Sequence, residues 1–318
     1  DPAPFDFQPC PTKMAYSRYR RKPRRSYRKS GPKRRYSARP SRYTAKTRRY
    51  TRKRPMSKRA ILNTTSKKKR DTMLPWTNMT AASQSGSTTY TTAPAVINGG
   101  SSLAAMTIWC ATARDLTPNA GPAAPAYQAL RTATSCYMKG LSENVEIQIS
   151  DGLPWQWRRI CFTSKSLATD LITTPSFSTW NETSLGVVRT INQPTTTNRA
   201  TLESYLFKGT VNVDWNDQLI APVDTLRVTV LYDKVVSIAS GNESGTIRKY
   251  RRYLPLNKNL VYDDDENGDG ETQATFSVGS KAGMGDLFVV DIFRPRNGST
   301  SSNQLSFGTN TTLYWHEK

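Results

Sequence analysis

A block of like charge constrains how this chain can fold. Residues 14–70 hold 25 lysines and arginines and no carboxylate, against a formal charge of +22 for the whole 318-residue chain. With Asp1, Asp6 and Lys13 set aside, positions 71–318 keep 20 basic and 22 acidic residues, so a polycation is joined to a near-neutral body. So charged a stretch repels itself and has little apolar surface to bury. Alone it is expected to be disordered and to seek a polyanion. The chain therefore divides into four parts. Residues 1–13 precede a start-like Met14-Ala15 and read as an upstream extension or vector-derived segment. A basic arm covers 14–70, an extended Thr/Ser/Asn/Gly-rich linker 71–102, and a folded domain 103–318.

Pro23, Pro32, Pro40 and Pro55, with Gly31, interrupt any continuous helix in the arm, which argues against a basic helix lying in a groove. Between Arg18 and Arg54, 14 arginines outnumber 5 lysines, and Tyr16, Tyr19, Tyr27, Tyr36, Tyr43 and Tyr50 are interleaved with them. Guanidinium forks suit phosphates, and phenol rings suit unstacked bases. The mixture points to single-stranded nucleic acid bound without sequence preference. The expected contacts are Arg18, Arg20, Arg21, Lys22, Arg24, Arg25, Arg28, Lys29, Lys33, Arg34, Arg35, Arg39, Arg42, Arg48, Arg49, Arg52, Lys53 and Arg54. Tyr36, Tyr43 and Tyr50, which recur seven residues apart in Arg-Tyr-Ser/Thr triplets, join them. Two clusters, Arg20, Arg21, Lys22, Arg24, Arg25 and Lys67, Lys68, Lys69, Arg70, have the form read by a nuclear import receptor.

The body reads as all-β. Short apolar runs rich in Val, Ile, Thr and aromatics alternate with turn residues, at Met106–Thr112, Val145–Ile149, Trp155–Thr163, Tyr205–Trp215, Leu226–Ile238, Ile247–Leu254, Thr275–Val278, Leu287–Phe293 and near Leu313–Trp315. Helical patterns are scarce, so an antiparallel two-sheet sandwich or barrel is expected rather than a parallel α/β fold. No run of 18 apolar residues exists, and no membrane insertion is expected. Cys10, Cys110, Cys136 and Cys161 form no Cys-x-x-Cys pair, and the one histidine, His316, stands two residues from the end. Zinc sites, Ser-His-Asp catalysis and phosphate-loop chemistry find no support, so no cofactor and no enzymatic activity are expected.

Three patterns in the body carry chemistry. Asp263, Asp265, Asn267 and Gly268 match the opening of a calcium loop, but its twelfth position is Ala274 and its flanks read as strand. A cation held by Asp263, Asp265 and Asn267 is the weak reading, and an acidic hairpin facing water the stronger. Trp155 and Trp157 fall on one face of a strand and read as core or interface, against the alternative of a base-stacking platform beside Arg158 and Arg159 as phosphate ligands. In Lys249–Tyr253, alternation sends Lys249, Arg251 and Tyr253 to one side, and Arg251 joins the expected DNA contacts.

An arginine-rich arm on a helix-poor sandwich is the layout of a small viral coat protein. The stretches Arg54–Asp71 (RPMSKRAILNTTSKKKRD), Trp109–Arg114 (WCATAR) and Tyr253–Lys258 (YLPLNK) resemble the capsid proteins of genomoviruses, relatives of the geminiviruses. The resemblance runs from Met14 nearly to the end. It implies a jelly roll, a homo-oligomeric icosahedral shell of 60 subunits, packaged circular single-stranded DNA, and a life divided between the virion and the host nucleus. A ribosomal or chromatin-type binding protein without shell assembly is the alternative.

Overall fold

The structure, a computed structural model, describes residues 55–116 and 127–318. Residues 18–54, which hold nearly all of the expected DNA contacts, lie outside that set, as does the import cluster from Arg20 to Arg25.

Eight principal strands build the body: β1 (Lys67–Met73), β2 (Ala105–Cys110), β3 (Ser135–Ile149), β4 (Trp155–Ser164), β5 (Thr229–Ile238), β6 (Thr246–Val261), β7 (Asp286–Pro295) and β8 (Gln304–Glu317). They pair antiparallel in two sheets, ordered β1-β8-β3-β6 and β2-β7-β4-β5. Read along the sheets, each strand of the first has its chain neighbour at the corresponding place in the second: β1 with β2, β8 with β7, β3 with β4, β6 with β5. That order is the double Greek key of a jelly roll. Among the described residues no helix is long and apolar enough to cross a membrane.

Burial follows the residue pattern strand by strand. In β3 the side chains of Cys136, Met138, Leu141, Val145, Ile147 and Ile149 are buried while Tyr137, Asn144 and Gln148 are exposed, as alternation requires of a sheet with one wet face. In β7 every residue from Asp286 to Phe293 is buried, because the second sheet is covered on both sides. Its inner face meets the first sheet through Trp109, Leu287, Leu313 and Trp315 at one end and Trp155, Trp157, Phe293 and Phe307 at the other. Its outer face, with Ile108, Phe162, Phe288 and Val290, packs under α2 (Leu167–Asp170), α3 (Thr196–Leu206) and the segment through Trp215.

Four expectations change. The basic arm does not run to Arg70: a helix, α1 (Lys58–Thr65), capped by Ser57, leads directly into β1. Lys67–Arg70 pair with Tyr314–Glu317 of β8, and Lys69 is buried. The reason is a partner far along the chain: Lys69 Nζ lies 3.5 Å from Glu317 and donates to the carbonyls of Tyr127 and Leu130, both at 2.8 Å. The linker assigned to 71–102 likewise belongs in part to the sandwich, since Ala95–Asn98 extends the first sheet on β8 and Pro75–Thr77 runs parallel to Gly186–Ile191. Tyr205–Trp215 is no strand. Its start ends α3, whose Thr195 cap accepts from the Asn198 amide and whose Leu202 and Leu206 lie one turn apart in the core. Finally, Thr275–Val278 makes only an isolated bridge at Ser277, because the Ser277 amide and hydroxyl both donate to the buried Asp286 carboxylate.

Candidate nucleic-acid interface

With the second sheet roofed by helices, the outer face of the first is the broad open surface of the sandwich. Register defines its rows. Lys68, His316, Tyr137 and Asn259 stand side by side on β1, β8, β3 and β6. One step on come Arg70, Tyr314 and Gly140, then Thr72, Thr312, Ser142 and Tyr253, then Asn310, Asn144 and Arg251, and then Gly308, Glu146 and Lys249. Gly140 is required here: a β-carbon at that position would come within 2.5 Å of the Tyr253 hydroxyl, so the Tyr253 ring lies across the strand. Lys139 stands where the β3–β8 register shifts, and its Nζ donates to Asn257 Oδ1 at 2.9 Å.

The charge on these rows is lopsided. Lys68, Arg70, Lys139, Lys249 and Arg251 face one carboxylate, Glu146, which Lys249 engages at 3.0 Å. Arg251 is exposed on the same side as Lys249 and Tyr253, as the alternation requires, and Tyr253 is 54% exposed. Cations and open aromatic rings thus share one surface, the pairing that phosphates and unstacked bases call for.

His316 senses this field. Partial burial and the charges of Lys68 and Lys139 hold its imidazole below the ordinary histidine range, so it is mostly neutral at pH 7. As the chain has one histidine, its proton resonances need no further assignment. We expect a titration midpoint below about 6.5, moving part of the way back in Lys68→Gln and Lys139→Gln. A midpoint indifferent to both substitutions would show that the two lysines do not converge on the imidazole.

Other expected sites are placed differently. Trp155 and Trp157 are buried, in agreement with their core reading. Arg158 and Arg159 are not phosphate ligands in waiting: Arg158 forks onto Asp233 at 2.7 and 2.9 Å, and Arg159 onto Asp291 at 2.7 and 2.9 Å. The acidic segment is a hairpin of Asp265–Asn267 with Gly270–Thr272, its strands exposed. Asp263 and Asp265 remain open to water, while Asp264 turns inward to the buried Arg131 at 2.5 Å. Of the second import cluster, Lys67, Lys68 and Arg70 are exposed on an edge strand, and Lys69 is spent on Glu317.

One constellation had no marker in the sequence. Between the sheets, Arg159 and Arg189 share Glu143 and Asp291. Trp157 Nε1 donates to Asp291 at 2.8 Å and Thr311 to Glu143 at 3.0 Å. Two cations and two carboxylates balance, every member is buried, and the four residues come from β4, the Gly186–Ile191 strand, β3 and β7. Its role is to join the layers, since it is sealed from any ligand.

No protein-family model matches the chain, and no curated protein matches it. Among solved structures it is similar to the VP1 of Trichodysplasia spinulosa-associated polyomavirus at 9% identity, over 71% of this chain and 78% of that one, with a TM-score of 0.11. A score that low carries no argument, and the jelly roll rests on the strand order.

Proposed function

We propose that the chain is the structural subunit of a viral shell that holds single-stranded DNA on its polycation and on the outer face of the first sheet. The observation that carries this reading is continuity. The polycation passes through α1 into β1, the edge strand of the sheet whose open face presents Lys68, Arg70, Lys139 and Arg251. Charge, rings and covalent path therefore lead to one surface. A jelly roll is a body suited to tiling, and the resemblance to genomovirus capsid proteins supports a closed shell of 60 subunits, a circular genome and nuclear entry through Arg20–Arg25. The role is binding and assembly rather than turnover. A ribosomal or chromatin-type binder would share the arm, but a sandwich this large behind it favours the shell.

Phosphate-dominated binding makes a quantitative demand. Neutralising six to ten phosphates releases counterions, so affinity for a single-stranded oligonucleotide should fall by roughly three decades or more between 50 and 200 mM salt. Titration by fluorescence anisotropy reads this directly. A salt-insensitive complex, or strong preference for one sequence, would contradict the proposal.

A further inference from the structure

The first row of the open face ends in a cavity of about 950 Å³ between α1 and the sheet, large enough for a nucleotide. Ser57 and Leu62 of the helix segment form one wall, and Tyr137, Lys139, Asn259 and His316 the other. The Tyr137 and His316 rings stand 6.1 Å apart, inclined at 43°, with Tyr137 36% exposed. Lys139 is held by a neutral amide, and among the described residues no carboxylate pairs with it. Glu317, the one side-chain carboxylate in the lining among the described residues, is fully engaged: it accepts from the Thr132 amide and hydroxyl and from Trp315 Nε1, and it pairs with Lys69. An aromatic wall, an ammonium, an amide able to meet a base edge and a silenced carboxylate together suit a group that is flat at one end and anionic at the other.

We infer that this cavity is a nucleotide site: one base of the bound strand lies against Tyr137 and His316 while its phosphate meets Lys139. The inference rests on the single-strand reading above and narrows it, placing a fixed contact where the polycation joins the body. Strand binding would then have two parts, a sequence-blind charge on the arm and one seated nucleotide per subunit.

Photo-cross-linking of the full chain to an oligodeoxythymidylate carrying 5-iododeoxyuridine, mapped by mass spectrometry, tests this. The expected result is cross-linked peptides containing Tyr137 or His316. Tyr137→Leu and Lys139→Gln are outward-facing changes whose folding is checked by circular dichroism. Tyr137→Leu should lower the body cross-link by about five-fold or more, the stacking value for one base, Lys139→Gln should lower it through loss of the phosphate contact, and both should leave arm cross-links in place. Cross-links confined to the arm tyrosines would overturn the site and spare the packaging reading, as would a cavity filled by a protein side chain, which blocks the body cross-link. Absence of any bound oligonucleotide would overturn both.

Discussion

Truncation after Pro55 should leave a cooperatively folded protein that holds DNA far more weakly, through its sheet face alone, whereas truncation after Arg70 should cost about 3–5 kcal/mol of stability. The first cut falls at the edge of the compact unit Met56–Lys318 and removes every lysine and arginine from Lys13 to Arg54. It takes charge and no described core residue. The second strips Lys67–Arg70 from β8, so four of the seven residues that pair in β1 are lost. It also deletes Lys69 and leaves the Glu317 carboxylate, 1% exposed, without its cation. Breaking a buried pair from one side leaves an uncompensated charge, which is the source of the estimate. Urea unfolding of the two truncations measures the difference. Equal stability would mean that β1 is dispensable and that the charged segment does reach Arg70.

Asp291→Asn should be as damaging, by about 3–5 kcal/mol, without touching any surface. The substitution leaves Arg159 and Arg189 buried around Glu143 alone, and an amide cannot accept all that Asp291 accepts from Arg159, Arg189 and Trp157. Burial pushes the Asp291 carboxyl up, but the Arg159 charge and hydrogen bonds, with Arg189, outweigh it and hold the group below the ordinary carboxylate range. The sign for pH follows. A depressed folded value contributes stability that is present above the unfolded value, about 3.9, and is lost as pH falls through the folded one. Wild-type protein should therefore lose part of its stability below about pH 4, and the variant should lack that component. A variant within about 1 kcal/mol of wild type at pH 7 would show that the network is neutral to stability, as hydrophobic replacements of buried pairs can be.

Much of the sandwich was legible because its strands announce themselves locally. Val145-Glu146-Ile147-Gln148-Ile149 states its wet and dry faces by alternation, and Leu287–Phe293 states burial on both sides by an apolar run that only Asp291 interrupts. The same alternation put Arg251 with Lys249 and Tyr253. What escaped depends on partners distant in sequence. Lys69 looks like one more cation of the arm until Glu317, at the far end of the chain, is placed beside it. Arg159 and Arg189 look like surface charge until β3 and β7 supply Glu143 and Asp291. Helix α3 was a different failure: Thr, Tyr and Phe weigh towards strand, yet Pro194-Thr195 before Leu202 and Leu206 was a readable helix start. Of the candidate interface, the arm was conspicuous from charge alone. The cavity beside Tyr137 needed the register to bring His316 and Asn259 alongside it.

Nuclease digestion of the purified assembled protein, followed by electron microscopy and sizing of the nucleic acid that survives, tests the central claim most directly. Closed particles of uniform diameter, enclosing single-stranded DNA that resists digestion, are expected. Replacing Arg18, Arg20, Arg21, Arg24, Arg25 and Arg28 with glutamine should shorten the protected DNA at unchanged diameter. Protein that binds DNA without forming particles, or particles whose contents are fully digested, would contradict the claim.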